Sequence, residues 1–300
     1  MSERDRGSYI VRAMSKDGSA KAEAIISTSI VNQMVGVHHP APTSVAAMGR
    51  LLSATSIIGT MLKQKEDAVS IVIDGDGPIG KMVTVSDYCG NVRGYMQNPA
   101  ADLPVRPDGK LDVKGVVGKG VLRLNRELTG EQPYVGMVEL KSGEIAEDIA
   151  NYFVQSEQIP TLCALGVLVS PECKCLAAGG VLVQLLPFYD PQVAEQLEQN
   201  ASKLVNLSRK IEGGLDAKGI LKLAFDGIPF DLFDEIDVSY LCTCSRERMK
   251  RNLYSLGRKD LTQLLSEQAK EGKPEELETV CHFCNNHYTF GKDELMEMFS

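Results

Sequence analysis

Four cysteines near the C-terminus stand in two close pairs, Cys242-Thr-Cys244 and Cys281-His-Phe-Cys284. A Cys-x-x-Cys pair places two thiolates at a tight turn from which both can reach one ion. A second pair from a distant segment completes a tetrahedron of sulfurs at Zn–S distances of about 2.3 Å. The sequence therefore predicts one zinc ion bound by Cys242, Cys244, Cys281 and Cys284. Four sulfurs leave no open position for a water molecule, so this pattern opposes hydrolytic zinc catalysis.

The spacing of these ligands leaves open whether the zinc is purely structural or also responds to oxidants. Zinc binding in small finger peptides is worth about 10–16 kcal/mol, which is enough to fold a small domain. The Cys242-x-Cys244 pair is unusual, because an extended span from i to i+2 is about 6.6 Å, near the upper limit for a disulfide. Strained disulfides are easily reduced again, and thiolates are the forms that react with oxidants. Oxidation would remove the ligands, release the metal and unfold whatever the metal folds.

The other four cysteines give weaker signals. Cys163 lies in an apolar stretch, where a thiol usually acts as a small buried side chain. Cys173 and Cys175 form a second Cys-x-Cys at a predicted hairpin turn, so we expect surface thiols there, with an auxiliary redox role as the alternative. Cys89 lies in a predicted turn, and the sequence identifies no partner for it.

Composition and charge restrict the class of function. The chain has 300 residues, of which 43% are hydrophobic and 24% are charged, as in folded globular proteins. Its net charge is -8, and no Lys/Arg run indicates a basic patch, so we expect no nucleic-acid partner. The charged N-terminus lacks an apolar signal region, and the most apolar stretch, 45–62, is interrupted by polar residues. We therefore expect a buried helix there, no membrane association and a cytoplasmic protein, where eight cysteines favour metal or redox chemistry.

Residues 1–186 have the pattern of an α+β domain, in which strands and helices are mixed without a strict βαβ order. The β-branched run at 68–73 and the following runs at 81–85 and 92–95 predict a hairpin or meander. Ser142 is expected to begin a helix with one apolar face. Two further apolar strands, joined by a turn, are predicted at 161–170 and 176–186.

Residues 187–240 have the pattern of a helical linker and show few signs of a core of their own. Asp190 is a predicted N-cap for a helix whose apolar stripe runs over 193–211. A second short helix is predicted between 216 and 227. The segment 228–240 mixes large apolar side chains with acids and has no clean period. We expect the packing of this linker to be conditional.

Residues 241–300 contain the predicted zinc ligands and too little apolar material for a robust core. Domains this small often depend on a metal for stability. The predicted organisation is thus an α+β N-terminal domain at 1–186, a helical linker at 187–240 and a zinc-binding domain at 241–300.

Short motifs distributed along the chain add to the cysteine pattern. The C-terminal ones are CSRER after the first cysteine pair and VCHFCNNHYTF around the second. The N-terminal ones are DGDGPIGK (74–81), NVRGY (91–95), GKLDV (109–113), SGE (142–144), SEQIP (156–160), GVLV (166–169) and AAGG (177–180). In this order, over nearly the whole chain, they resemble the heat shock protein 33 family of redox-regulated bacterial holdase chaperones. No departure from the family pattern is seen at the four ligand positions.

The resemblance implies that the reduced protein binds one zinc ion and is inactive as a chaperone. Oxidants, helped by unfolding conditions, would convert Cys242–Cys244 and Cys281–Cys284 into two disulfides and release the zinc. The C-terminal domain would then unfold and destabilise the linker, and the activated chain would form a homodimer that binds unfolding client proteins. Clients would be held without ATP and passed to ATP-dependent chaperones when reducing conditions return.

Two other classes of function remain as alternatives. The first is a zinc-ribbon binding module with purely structural zinc, which predicts function in the reduced, metal-bound form. The second is an enzyme whose N-terminal domain is catalytic, which predicts a pocket with perturbed titratable groups. No nucleophile motif, paired catalytic carboxylates or dinucleotide fingerprint stands out, so we expect a protein that is not an enzyme.

Overall fold

A computed structural model of the protein describes residues 7–270 and 274–299. The chain divides into two compact units, Met1–Leu241 and Cys242–Ser300. Helices and strands are mixed along the chain, which confirms the predicted α+β class. No helix in the described part of the chain is long and apolar enough to cross a membrane.

Two five-stranded sheets form the framework of the first unit, and every neighbouring pair of strands is antiparallel. The strands are β1 (Tyr9–Ser15), β2 (Ala20–Ile26), β3 (Ala68–Gly75), β4 (Lys81–Asp87), β5 (Val92–Met96), β6 (Gly120–Glu127), β7 (Tyr134–Glu139), β8 (Thr161–Val169), β9 (Cys175–Leu185) and β10 (Phe230–Asp237). The first sheet has the order β10-β1-β2-β9-β8, and the second has the order β5-β4-β3-β6-β7. The strands predicted within residues 68–95 and 161–186 are all confirmed.

One apolar helix packs against both sheets of the first unit. The helices are α1 (Thr28–His38), α2 (Pro42–Gly59), α3 (Val113–Val117), α4 (Ala146–Tyr152), α5 (Pro191–Ala201), α6 (Leu207–Glu212) and α7 (Ala217–Ala224). Helix α2 contacts β3, β4 and β5 of the second sheet and β2, β8 and β9 of the first. Every residue of α2 from Thr43 to Gly59 is buried except Arg50. This confirms the buried helix predicted from the apolar stretch 45–62.

Helices α5, α6 and α7 cover the other face of the first sheet. Leu197, Ile220 and Phe225 pack there in one apolar cluster with strand residues such as Val11 and Val181. The continuous helix predicted over 193–211 is wrong. Helix α5 ends at Ala201, and Asn206 has a left-handed backbone (φ 57°) before α6 begins. Asn tolerates that conformation better than most residues, so the chain turns at this point.

The linker region is not helical throughout. Residues 228–240, which show no clean period in the sequence, contain strand β10, which pairs with β1 at the edge of the first sheet. The helix expected to begin at Ser142 begins later, at Ala146, because Gly143 and Ile145 have positive φ (78° and 67°). Residues 187–240 lie within the first unit, so the linker's status as a separate part stays a prediction.

The second unit is small and has a small apolar core. Its elements are α8 (Arg246–Tyr254), α9 (Arg258–Lys270), β11 (Glu276–Val280), β12 (His287–Gly291) and α10 (Lys292–Met296). Strands β11 and β12 form an antiparallel hairpin. Among its described residues, the buried apolar cluster consists of Leu253, Leu261, Leu265, Leu277, Phe290 and Leu295.

Candidate metal centre

The turn between β11 and β12 carries the second cysteine pair. Val280 and His287 are the last paired residues of the hairpin. Within the turn, the backbone N–H groups of Cys284 and Asn285 donate to the Cys281 carbonyl oxygen at 3.3 and 2.8 Å. Asn285 has a left-handed backbone (φ 56°), which lets the chain reverse sharply. Both sulfur-bearing residues are thus fixed at the tip of one hairpin.

The first cysteine pair directly precedes helix α8, which packs against β12. Ser245 caps the helix, because its hydroxyl accepts the backbone N–H of Arg248 at 3.2 Å. The Arg246 guanidinium lies 4.5 Å from the centre of the Phe290 ring and donates to the carbonyl oxygen of Thr289 at 2.9 Å. These contacts fix the start of α8 beside β12 and bring the preceding cysteines to the hairpin tip.

The four sulfur atoms of Cys242, Cys244, Cys281 and Cys284 converge, and all lie within 4.8 Å of one another. The Cys242 and Cys281 sulfurs are 3.7 Å apart, and the Cys244 and Cys284 sulfurs are 3.3 Å apart. A tetrahedral ZnS₄ centre with Zn–S bonds of about 2.3 Å has sulfur–sulfur edges of about 3.8 Å. The donor set therefore fits a single tetrahedral metal ion of the zinc type. That these four cysteines are zinc ligands stays a prediction from the sequence.

The four thiols are not equivalent before a metal binds. Burial raises the pKa of Cys242 to about 11, and it raises the pKa of Cys284 well above its ordinary range. Burial also opposes ionisation of Cys244, but hydrogen bonds from Tyr288 and the neighbouring thiols outweigh it and lower the pKa to about 7. Metal ions bind thiolates, so Cys244 is better prepared to bind a metal than Cys242 or Cys284.

Tyr288 contacts the sulfur cluster, although the cysteine spacing does not identify it. Its phenol oxygen lies 3.1 Å from the Cys244 sulfur. The hydrogen bond to Cys244 raises the pKa of Tyr288 to about 12, so the phenol stays protonated as a donor to the thiolate. Residues two apart on a strand share a face, so Tyr288 lies on the same face of β12 as the buried Phe290, and the spacing of these two aromatic residues is the signal in the sequence. The neighbouring His287 binds Glu278 instead, at 2.7 Å through its Nδ1 atom.

The remaining cysteines lie in the first unit. Burial raises the pKa of the Cys163 thiol to about 12, as expected for a thiol inside a strand. The prediction that Cys175 is a surface thiol is wrong, because its side chain is 1% exposed. Asn32 of α1 accepts the backbone N–H of Cys175 at 3.1 Å and donates to its carbonyl at 2.9 Å, which holds this end of β9 against the helix. Cys89 and Cys173 are half-buried.

The two-sheet unit followed by a small four-cysteine unit matches one known class of chaperone. The family model described as Hsp33 protein matches residues 8–291, and the chain belongs to this family of chaperones. The resemblance found in the sequence motifs is thereby confirmed. The family is a chaperone family and not a class of enzymes.

Individual relatives cover almost the whole chain. The 33 kDa chaperonin of Clostridium botulinum is 40% identical over 288 residues, which is 95% of each chain. The 33 kDa chaperonin of Ruminiclostridium cellulolyticum is 37% identical over 289 residues, covering 96% of this chain and 97% of that relative. The crystal structure of the 33 kDa chaperonin (heat shock protein 33 homologue) of Thermotoga maritima has a TM-score of 0.86 at 31% identity, with 98% of both chains covered.

Proposed function

We propose that this protein is a redox-regulated, ATP-independent holdase that is inactive when reduced and zinc-bound. The observation that carries the proposal is the convergence of four sulfurs in a unit whose described core contains only six buried apolar side chains. A unit of this size gains little stability from apolar burial, so the metal would supply much of its folding free energy. The sulfurs that react with oxidants are then the same atoms that keep the unit folded.

The proposed switch is a balanced thiol oxidation with hydrogen peroxide as the oxidant. Each pair of thiolates loses two electrons and forms one S–S bond, while one peroxide takes up those electrons and two protons and becomes two water molecules. Two such steps consume all four ligands and release one Zn²⁺ ion. We propose the pairs Cys242–Cys244 and Cys281–Cys284. As the unit unfolds, the two cysteines within each of these pairs stay close because they are near in sequence, whereas the segments that carry the two pairs separate from each other.

The chain next to the first ligand would transmit this unfolding to the linker. Leu241 directly precedes Cys242, and its backbone N–H donates to the Val92 carbonyl of β5 at 2.9 Å. Two residues earlier, Ser239 accepts the Val92 N–H at 2.9 Å and donates its hydroxyl to Asn91 at 2.9 Å. Unfolding of the residues after Leu241 would loosen these bonds and release the end of the linker.

The released apolar surface would bind unfolding client proteins, with the activated chain as a homodimer in the cytoplasm. Exposed apolar patches of this kind bind other polypeptides. Clients would later pass to ATP-dependent chaperones when reducing conditions return. A zinc-ribbon module with purely structural zinc predicts instead a function that persists in the reduced, metal-bound protein.

The test follows zinc release and client aggregation together. Reduced, zinc-loaded protein is treated with hydrogen peroxide at raised temperature, while a chromogenic chelator reports zinc and light scattering reports aggregation of a heat-labile enzyme. The expected result is that zinc release and suppression of aggregation appear together, and that a dithiol reductant with added zinc reverses both. Cys89→Ser, outside the cluster, should behave as wild type, and Cys284→Ser should not. If zinc stays bound, or leaves without any suppression of aggregation, the zinc site has only a structural role and the proposed function is wrong.

A further inference from the structure

Strand β10 is an exposed edge strand that belongs to the linker region. It lies at the edge of the first sheet, where β1 is its neighbour. Leu232 and Phe233 are 42% and 63% exposed, and the acids around them are exposed as well. By contrast, β1 is buried along most of its length, including Ile10 and Val11. The strand that covers this edge therefore leaves much more of its apolar side-chain area exposed than the strand beneath it.

Charged side chains set the position of β10 on β1. The Arg12 guanidinium donates through its Nε to the Asp234 carboxylate at 2.7 Å, with a second bond from its terminal nitrogen. Lys16 pairs with Asp231 at 3.7 Å. Opposite Arg12, the register shifts by one residue, which is a β-bulge. A bulge interrupts the ladder, so these two ion pairs help to define which residues of β10 face which residues of β1.

The same stretch of chain also covers an edge of the second sheet. Strand β5 is an edge strand of that sheet, and Tyr240 bridges to Val92 on its open side. The Tyr240 hydroxyl donates to the Gly94 carbonyl at 2.8 Å. Residues 230–241 thus pair with one edge of each sheet, and the stretch ends immediately before Cys242.

Removal of β10 would leave β1 as an unpaired edge with apolar side chains on both faces. Such an edge presents free backbone donors and acceptors and is a template for an added strand. Two cationic side chains, Arg12 and Lys16, would remain along it. An incoming segment would bind this edge most tightly when it is extended, carries apolar residues and has acidic residues placed to pair with these two cations.

We propose that the β1 edge is a client-binding slot, which takes an extended apolar segment flanked by acidic residues as an added antiparallel strand. In the reduced protein β10 occupies this slot and blocks it. This inference rests on the proposed redox function, since release of the linker is what removes β10. The client segment then forms with β1 the ladder and the charge pairs that β10 forms in the resting protein.

A peptide with the sequence of residues 230–237, FDLFDEID, is the probe, labelled with a fluorophore for anisotropy measurements. It should bind the oxidised, zinc-free protein and not the reduced, zinc-bound protein. Unlabelled peptide in excess should also restore aggregation of the client. The peptide with Leu232→Pro, which cannot complete the ladder, is the matched control and should do neither.

The chain variant Arg12→Gln should weaken peptide binding about 1.4- to 5-fold, the range measured for exposed ion pairs. Arg12→Lys should recover part of the affinity. Equal binding to the two redox states would overturn the inference, and so would equal competition by the proline peptide. If client holding appears on oxidation but the peptide neither binds nor competes, the slot is wrong and the redox function stands. If no client holding appears on oxidation, the function itself is wrong and the inference falls with it.

Discussion

The two units of this chain are stabilised by different means. In the first unit, helix α2 packs against both sheets, and one apolar cluster extends from Ile10 to Val238. In the second unit, three helices and a hairpin share a cluster of six buried apolar residues among those the structure describes. Burial of apolar area scales with core size, so we expect the first unit to fold without a metal and the second unit to need one. If the second unit is the proposed sensor, it can unfold while the first unit keeps the strands of its two sheets other than β10.

Ion pairs do not compensate for the small core of the second unit. Arg246 and Lys250 reach Glu294 at 2.6 and 3.6 Å, and Lys292 reaches Glu275 at 2.7 Å. All these side chains are partly exposed to solvent, where such a pair contributes about 0–1 kcal/mol. The sulfur cluster is the one strong candidate for the missing stability among the described residues of this unit.

Metal removal should produce the largest difference between the units. Under reducing conditions, a strong chelator should abolish amide protection in α8, α9 and the β11–β12 hairpin, while α2 and β9 keep theirs. Structural zinc contributes about 10–16 kcal/mol in small domains, more than this core can replace. Hydrogen exchange read by mass spectrometry measures amide protection in both units in one experiment. Chelation should also increase proteolysis between Leu197 and Tyr240. Undiminished protection in the second unit after chelation would show that it folds without metal.

A cavity in the first unit should lower its stability without affecting the metal. Leu52 lies in α2 and is fully buried. Leu52→Ala removes apolar burial and leaves a cavity, so the free energy of unfolding should fall by about 2–5 kcal/mol. Denaturant unfolding followed by hydrogen exchange in α2 measures the change, while zinc affinity and stoichiometry should match wild type. Loss of zinc binding in this variant would contradict the independence of the two units.

A cavity in the second unit should appear as weaker metal binding. Leu261 is fully buried in α9, whereas Leu264 of the same helix is 41% exposed. If folding and binding are coupled, a loss of about 2 kcal/mol in Leu261→Ala should weaken zinc affinity about thirtyfold. Competition with a chelator of known affinity measures this, and Leu264→Ala is the matched control expected to stay near wild type. Equal zinc affinity in the two variants would mean that core packing and metal binding are separate.

The features that could be predicted from the sequence are local ones. The cysteine spacing is a short-range pattern, and the structure does bring the sulfurs of Cys242, Cys244, Cys281 and Cys284 together. Apolar runs also identified α2 and the strands β8 and β9, because a continuous apolar segment has few alternatives to burial. The α+β class follows from these elements.

The features that the sequence did not reveal depend on partners far away along the chain. Strand β10 lacks a clean alternation, because exposed acids and exposed apolar residues share an edge strand. Its partner β1 is a neighbour in the sheet but lies at the opposite end of the first unit's sequence. Cys175 is buried because α1 packs against the start of β9, and a turn motif gives no sign of that contact.

The smallest expected effect lies within the first unit, at the exposed edge strand β10. The hydrogen bond from Arg12 lowers the pKa of Asp234 below its ordinary value of 3.8. A carboxyl whose pKa is depressed by folding stabilises the folded state above pH 3.8, and this stabilisation is lost as the pH falls through the lower folded pKa.

At pH 7, Asp234→Asn should therefore speed amide exchange in β10 by less than about fivefold, since the pair is half-exposed, and should not change exchange in α2. Asp231→Asn, whose pair with Lys16 is longer at 3.7 Å, should have a smaller effect in the same direction. The difference between wild type and Asp234→Asn should vanish below the folded pKa of Asp234. A difference that persists at that pH would mean that Asp234 holds β10 by something other than its charge. An effect on α2 would mean that the edge strand and the core unfold as one.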